Sequence, residues 1–171
     1  AELARLAGSD HLTEVANRRQ FENALGEILN NRRRDVADLC LLLIDLDNFK
    51  AINDRFGHPA GDAALVQVAT RLKAHMRGGD LLARLGGDEF VAALTCDPDT
   101  ARRRADEIRA AIADLPVRAC DTEFRLTASI GLFHQPLASA PTDPAELLEQ
   151  VDGALYQAKD GGRNQVREAA S

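Results

Sequence analysis

The sequence predicts an α+β domain, a mixed sheet with helices on its faces, and three features carry that prediction. The run "LCLLLID" is continuously apolar and ends abruptly in charge, the pattern of a strand buried on both faces. "ARLGGDEF" sets two glycines between the apolar arms "DLLARL" and "EFVAAL". That reads as a β-hairpin with Gly86 and Gly87 in the turn and Asp88 and Glu89 at its tip. Amphipathic segments fall between these strands in the order strand, two helices, hairpin, helix, strand, helix, short strand, with no internal repeat and no second domain.

Each element has its own justification. "AELARLAG" reads as the end of a helix stopped at Gly8, a connection from something upstream. Phe21, Leu25, Ile28 and Leu29 recur at helical spacing, and "NNRRRD" closes that helix in a charged loop. After the buried strand, "NFKAINDRFG" forms a short helix. "GHPAGD", with Pro59 and Gly61, reads as a loop, and Leu65, Ala69, Leu72 and Met76 mark one face of the next helix. Beyond the hairpin, Ala101, Ala105, Ile108, Ile112 and Leu115 define a helix over 99–115, with Arg102, Arg103 and Arg104 mostly on its solvated side. "FRLTASI" alternates Phe124, Leu126, Ala128 and Ile130 against Arg125, Thr127 and Ser129, as a half-buried antiparallel strand does. The last helix starts at an Asp143 cap with Pro144 in its first position and Glu146 three residues past the cap. It ends at Gly161 and Gly162, with Leu147, Leu148, Val151, Leu155 and Ala158 on its core face.

Bulk properties narrow the function. A chain of 171 residues buries a full core as one domain. A net charge of −6 argues against a nucleic-acid polymer as partner, because non-specific affinity for phosphate backbones comes from basic surface. Cys40, Cys96 and Cys120 are odd in number and lack metal-ligand spacing, so they read as structural thiols in a reducing compartment. No apolar run approaches the roughly 20 residues of a membrane span, and the expectation is a cytoplasmic location.

Four carboxylates are placed for chemistry. Asp45 and Asp47 sit where the buried strand runs out, Asp88 and Glu89 at the hairpin tip. If the hairpin pairs beside that strand, the acids converge at one edge, where mutual repulsion raises some of their pKa values unless cations lie between them. Oxygen ligands on irregular backbone favour Mg²⁺ or Mn²⁺ with substrate phosphates completing the shell. Either pair alone reads as solvated turn residues. Their joint occurrence, with Lys50 one helical turn on from Asp47, points to a metal–phosphate site.

"DHLTEVANRRQF", "LLLIDLDNFKAINDRFGHPAGDAAL", "ARLGGDEF", "TASIGL" and "ALYQAKDGGRNQV" together resemble the motifs of the GGDEF family of diguanylate cyclases, from Asp10 to Val166. The resemblance implies that residues 1–9 end an upstream linker helix and that 10–171 form a GGDEF catalytic domain. The implied fold is like the palm of nucleotide cyclases and polymerases, with a ferredoxin-like core. The implied reaction turns two GTP into cyclic di-GMP and two pyrophosphates, by attack of a ribose 3′-hydroxyl on an α-phosphate.

By motif position Asp45, Asp88 and the Leu46 carbonyl are the implied ligands of Mg²⁺ or Mn²⁺. Glu89 is a candidate for helping deprotonate the hydroxyl, with Asp88 as its rival. Lys50, Lys159 and Arg163 are the implied phosphate contacts, although cations in a helix's last turn also simply complement its dipole. Asn53 and Asp62 are the implied guanine readers, a carboxylate accepting from the N1–H and N2 donors that adenine lacks. Read alone, Asp62 is an N-cap of the following helix, and His58 is a structural turn residue.

"RGGD", Arg77 to Asp80, stands five residues before Gly86 and resembles the family's RxxD inhibitory site for cyclic di-GMP; read alone it is a charged turn ending a helix. A ring built from two GTP requires two domains facing each other, hence a homodimer, imposed at the upstream helix, and an upstream sensory domain is the expected regulator. The alternative function is a non-catalytic GTP or cyclic di-GMP receptor. The chain departs from the family pattern at Glu14, where a glycine is usual, and at Val15, where a leucine is usual.

Overall fold

The computed structural model describes residues 8–31, 38–119, 121–136 and 143–169. The helix end expected over 1–8, the charged loop after Asn31 and Cys120 lie wholly or largely outside them. In chain order the elements are α1 (Arg18–Asn31), β1 (Asp38–Leu46), α2 (Phe49–Phe56), α3 (His58–Ala74), β2 (Leu81–Gly86) and β3 (Glu89–Leu94). Then follow α4 (Pro98–Asp114), β4 (Val117–Ala119), β5 (Thr122–Phe124), β6 (Ala128–Pro136), α5 (Pro144–Asp160) and β7 (Val166–Glu168). The main sheet runs β2-β3-β1-β6-β7, and β4 and β5 make a separate two-stranded ribbon. All pairs of the main sheet are antiparallel except β6 with β7.

Central position explains the composition of β1. Leu39, Leu41 and Leu43 pack with Phe21 and Leu25 of α1 and Val151 and Leu155 of α5. Cys40, Leu42, Ile44 and Leu46 pack with Ile52, Leu65, Leu72 and Ile108 of α2, α3 and α4 on the other face. A strand covered on both sides has no solvated positions to fill with polar residues.

The hairpin forms with a shifted turn. Gly86 ends β2 opposite Glu89, so the two turn residues are Gly87 and Asp88, and a bulge separates Arg84 from Gly86. Gly86 at φ 145° and Gly87 at φ 50° hold conformations that a β-carbon disfavours. Asp143 caps α5 by accepting from the Ala145 N–H at 3.2 Å.

Several expectations are corrected. "GHPAGD" is not a loop: α3 starts at His58, because Pro59 suits a first helical turn and Gly57, at φ 90°, makes the reversal from α2. Asp62 therefore sits inside the helix and is no N-cap. "FRLTASI" is not one strand, since β5 ends at Phe124 and β6 begins at Ala128, the chain crossing between two sheets over 125–127. Phe124, Leu126, Ala128 and Ile130 are buried as the alternation requires, yet Ser129 is buried too, because β6 is covered on both faces. The arginine run is split: α4 begins at Pro98 behind an Asp97 cap, and Arg104 turns inward to be buried. Finally α3 stops at Ala74, and Met76 packs on the core from beyond its end.

Candidate active site

Register brings the acids together. Asp45 of β1 stands directly opposite Glu89 of β3. Opposed residues of an antiparallel pair share a face, so both carboxylates point to the α1/α5 side at the sheet's edge. The Leu46 N–H donates to the Asp88 carbonyl at 3.1 Å, tying the hairpin tip to the end of β1. Arg84 fixes the turn itself, donating to the Gly87 carbonyl from Nε at 3.0 Å and Nη2 at 2.8 Å, while Nη1 pairs with Asp10 at 3.1 Å. Burial works against the Asp10 carboxylate, but donors from Thr13 and Arg84 more than offset it and hold its pKa below the ordinary value. The neighbouring Glu14 adopts φ 63°, which accounts for the glycine usual at that position.

Asp45 is the most perturbed acid of the edge. Burial first, then the adjacent Asp88, push its carboxyl up to about 6, against the pull of Lys159. Its Oδ2 takes a short hydrogen bond from Lys159 Nζ, while its Oδ1 is buried with no hydrogen-bond partner among the described residues. Burial works against the Lys159 ammonium as well, but Asp45, Asp88 and Glu89 keep its pKa above the ordinary value. Glu89 is raised by burial and by Asp45 and Asp152, with Lys159 and Arg18 opposing. An orphaned buried carboxylate oxygen beside a second acid fits a divalent cation. Among the described residues no three His, Cys, Asp or Glu side chains gather into a cation site. Further ligands would therefore be a main-chain carbonyl such as that of Leu46 and the oxygens of a bound phosphate.

Asp47 does not join this set. Its carboxylate accepts from Thr127 Oγ1 at 2.7 Å, Ser129 Oγ at 2.6 Å and the Asn164 N–H at 3.0 Å. It serves as an anchor binding the start of β6 to the turn after α5. In that turn Arg163 and Asn164 hold φ 63° and 46°.

A cavity of about 230 Å³ opens at this edge, and Asp45, Leu46, Lys50, Asp88, Lys159 and Arg163 all line it. Six of the residues expected for metal and phosphate thus meet at one concavity, three of them cations. Glu89 lies beside it, opposite Asp45. Lys159 arrives through close packing: at Gly131 of β6 an added Cβ would come within 2.4 Å of the Leu155 nitrogen and 2.6 Å of the Val151 carbonyl oxygen of α5.

The other expected residues sit apart. Asn53 on α2 lies over Gly61 of α3, where an added Cβ would fall 1.8 Å from Asn53 Oδ1, and Asp62 is exposed next to it. Arg77 and Asp80 close the turn before β2, the opposite end of that strand from the hairpin tip and about 20 Å away at six residues. Sequence reasoning missed Arg84, Asp10 and Gly131, although all three stand inside the quoted motifs. It also missed a larger groove of about 570 Å³ between α2 and the β5–β6 crossing, floored by Ile52, Leu126 and the stacked rings of Phe56 and Phe124. Asp47 is the acid the two concavities share, and its lone pairs are already committed, so the chemistry belongs to the smaller one.

Known proteins share this fold. Residues 7–165 match the model of the family described as diguanylate cyclase, GGDEF domain. Diguanylate cyclase TpbB of Pseudomonas aeruginosa is 42% identical over 173 residues, covering 98% of this chain and 38% of that protein, so the chain spans well under half of its relative's length. A solved structure comprising only the GGDEF domain of that protein superposes with a TM-score of 0.88 at 41% identity, covering 95% of this chain and 94% of that one. The coiled coil and GGDEF domain of DgcB from Caulobacter crescentus, solved in complex with c-di-GMP, gives 0.89 at 28% identity, covering 98% and 88%. With a match over nearly its whole length, this chain belongs to the GGDEF-domain family of diguanylate cyclases.

Proposed function

We propose that this domain is a diguanylate cyclase, condensing two GTP into cyclic di-GMP and two pyrophosphates. The observation that carries the reading is the buried Asp45 Oδ1, without a hydrogen-bond partner among the described residues, beside Asp88 on the wall of a cavity that Lys50, Lys159 and Arg163 ring with positive charge. Asp45, Asp88 and the Leu46 carbonyl would hold Mg²⁺ or Mn²⁺. When bound, such an ion polarises the α-phosphate and lowers the pKa of the attacking 3′-hydroxyl. Lys50, Lys159 and Arg163 hold the triphosphate and neutralise the charge that builds on the departing pyrophosphate. Lys159 is 38% exposed at its side chain and free to turn from Asp45 toward a phosphate oxygen. Glu89, whose pKa is raised from its ordinary value by burial and by Asp45, is suited to accept the hydroxyl proton, with Asp88 as the other candidate. Asn53 and Asp62 read the guanine edge.

One cavity of this size takes one triphosphate, so ring closure requires a second domain presenting its GTP in the opposite sense, in a two-fold homodimer. Pairing would be imposed by an upstream sensory segment, and cyclic di-GMP would feed back at Arg77 and Asp80. Incubation with GTP and Mg²⁺ or Mn²⁺, with nucleotides resolved across a protein dilution series, tests the reading. Turnover per domain rising with concentration is expected. Nucleotide binding without turnover at any concentration would instead identify a receptor.

A further inference from the structure

Three consecutive residues of the turn after α5, Gly162, Arg163 and Asn164, hold positive φ, at 119°, 63° and 46°. Glycine takes such a conformation freely, but for arginine and asparagine it is uphill and persists only where surrounding bonds over-determine it. The Arg163 N–H closes the entry to the turn by donating to the Ala158 carbonyl at 3.0 Å. The Ile130 N–H closes the exit by donating to the Gln165 carbonyl at 2.9 Å. Between them Asn164 is gripped twice: its N–H donates to Asp47 Oδ2 at 3.0 Å, and its Oδ1 accepts from Nη1 of Arg109, on α4, at 2.9 Å. Arg109 is aimed by its own helix, its Nε donating to Asp106 Oδ1 at 2.8 Å. A second arginine of α4, Arg102, holds the same edge further along, with Nε and Nη2 at 2.5 and 3.0 Å from the Glu168 carboxylate of β7.

We propose that Arg109 is a positioning residue of the triphosphate site: by holding the Asn164 side chain it keeps the turn in its left-handed shape, and so keeps Arg163 aimed at the phosphates. This role rests on the reading of Arg163 as a triphosphate contact. Arg163 precedes Asn164 in the chain, is exposed, and lines the cavity beside Asp45 and Lys159. Its side chain leaves a backbone of sparsely populated φ, so relaxation of the turn to ordinary angles swings the guanidinium to another direction. Arg109 itself is not among the residues lining that cavity, and its influence on a nucleotide therefore passes through the turn. A hydrogen bond from a charged donor has the strength to tip the balance between the strained turn and a relaxed one.

Calorimetric titration with the α,β-methylene analogue of GTP, whose bridge between the α- and β-phosphates resists cleavage, tests this in the presence of Mg²⁺. The proteins compared are the wild type, Arg109→Met, Arg109→Lys, Asn164→Gly, Arg102→Met, Arg163→Ala and the Arg109→Met/Arg163→Ala double variant, with thermal unfolding of each as the control for folding. Arg109→Met should weaken binding about five- to tenfold, and Arg109→Lys should recover part of the loss. Asn164→Gly removes the acceptor yet tolerates positive φ, and should lose as much as Arg109→Met. Arg102→Met, which cuts the tie to β7 and not the tie to the turn, should bind as wild type does. In the Arg163→Ala background, Arg109→Met should cause no further loss. Wild-type binding by Arg109→Met overturns the inference, as does an equal weakening by Arg102→Met. So does an undiminished Arg109 loss in the Arg163→Ala background, since a general loosening of this edge acts whether or not Arg163 is there. If the methionine variant does not fold, Asn164→Gly takes its place in the cycle with Arg163→Ala. A wild type that does not bind the analogue, or an Arg163→Ala variant that binds it as wild type does, overturns the reading of the site beneath; the other failures overturn only the role of Arg109.

Discussion

Replacing Gly131 with alanine places a Cβ 2.4 Å from the Leu155 nitrogen, 2.6 Å from the Val151 carbonyl oxygen and 3.0 Å from the Ala154 carbonyl carbon. Relaxed contact needs about 3.5 Å, so α5 must withdraw from β6 by roughly 1 Å. The obstructing atoms are main chain held in helical hydrogen bonds and cannot swing aside, so the cost belongs at the upper end of overpacking, about 3 kcal/mol. For a domain of this size that lowers the melting midpoint by roughly 6–12 °C. A second effect follows from what α5 carries. Lys159 reaches Asp45 from its last turn, and a 1 Å displacement of a positioning group is worth about 10²-fold in rate. Thermal unfolding and cyclic di-GMP formation from GTP, measured on the same preparation, check both effects. A variant melting within about 1 °C of wild type with undiminished turnover would refute the argument that this contact sets the height of α5 over the site.

Three further outcomes are expected. Asp45 keeps its proton up to about 6 in the folded chain and only to about 3.8 when unfolded. The folded state therefore binds more protons across that window, and stability in chelator falls as pH rises through it. Asp45→Asn should accordingly melt higher than wild type at pH 7 and abolish turnover, the stability difference fading toward the acid end of the window; a lower midpoint in chelator at pH 7 would contradict the assignment. Gly61→Ala drives a Cβ into Asn53 Oδ1 and should raise the KM for GTP by roughly tenfold, the worth of a misplaced hydrogen bond, while narrowing the preference for GTP over ITP; an unchanged preference would separate Asn53 from base reading. Asp47→Ala strands three donors, from Thr127, Ser129 and Asn164, and should cost about 2–4 kcal/mol in urea unfolding and weaken GTP binding through the loosened Arg163 turn; a loss below about 1 kcal/mol would mean that water replaces the carboxylate.

Local chemistry makes much of this protein legible in its sequence. The continuous apolar run of β1, the Asp-Pro start and double-glycine stop of α5 and the glycines of the hairpin are each dictated by interactions within a few residues, and each formed where expected apart from a one-residue shift of the turn. The convergence of Asp45 with Asp88 and Glu89 was readable only on the condition that the hairpin pairs beside β1, a condition that the register of β1 against β3 meets. Tertiary packing decided the rest. Which acid keeps an unpaired oxygen depends on groups distant in the chain: Thr127, Ser129 and Asn164 satisfy Asp47, while Asp45 Oδ1 has no hydrogen-bond partner among the described residues. Arg104 looks solvated beside Arg102 and Arg103 until Asp80, 24 positions earlier, supplies the charge that lets it be buried. Gly131 reads as an ordinary strand glycine until α5 is laid against it. Periodicity and capping act over one or two turns of chain, whereas the partner of a buried charge and the clearance between a helix and a sheet are set by atoms the chain brings together only on folding.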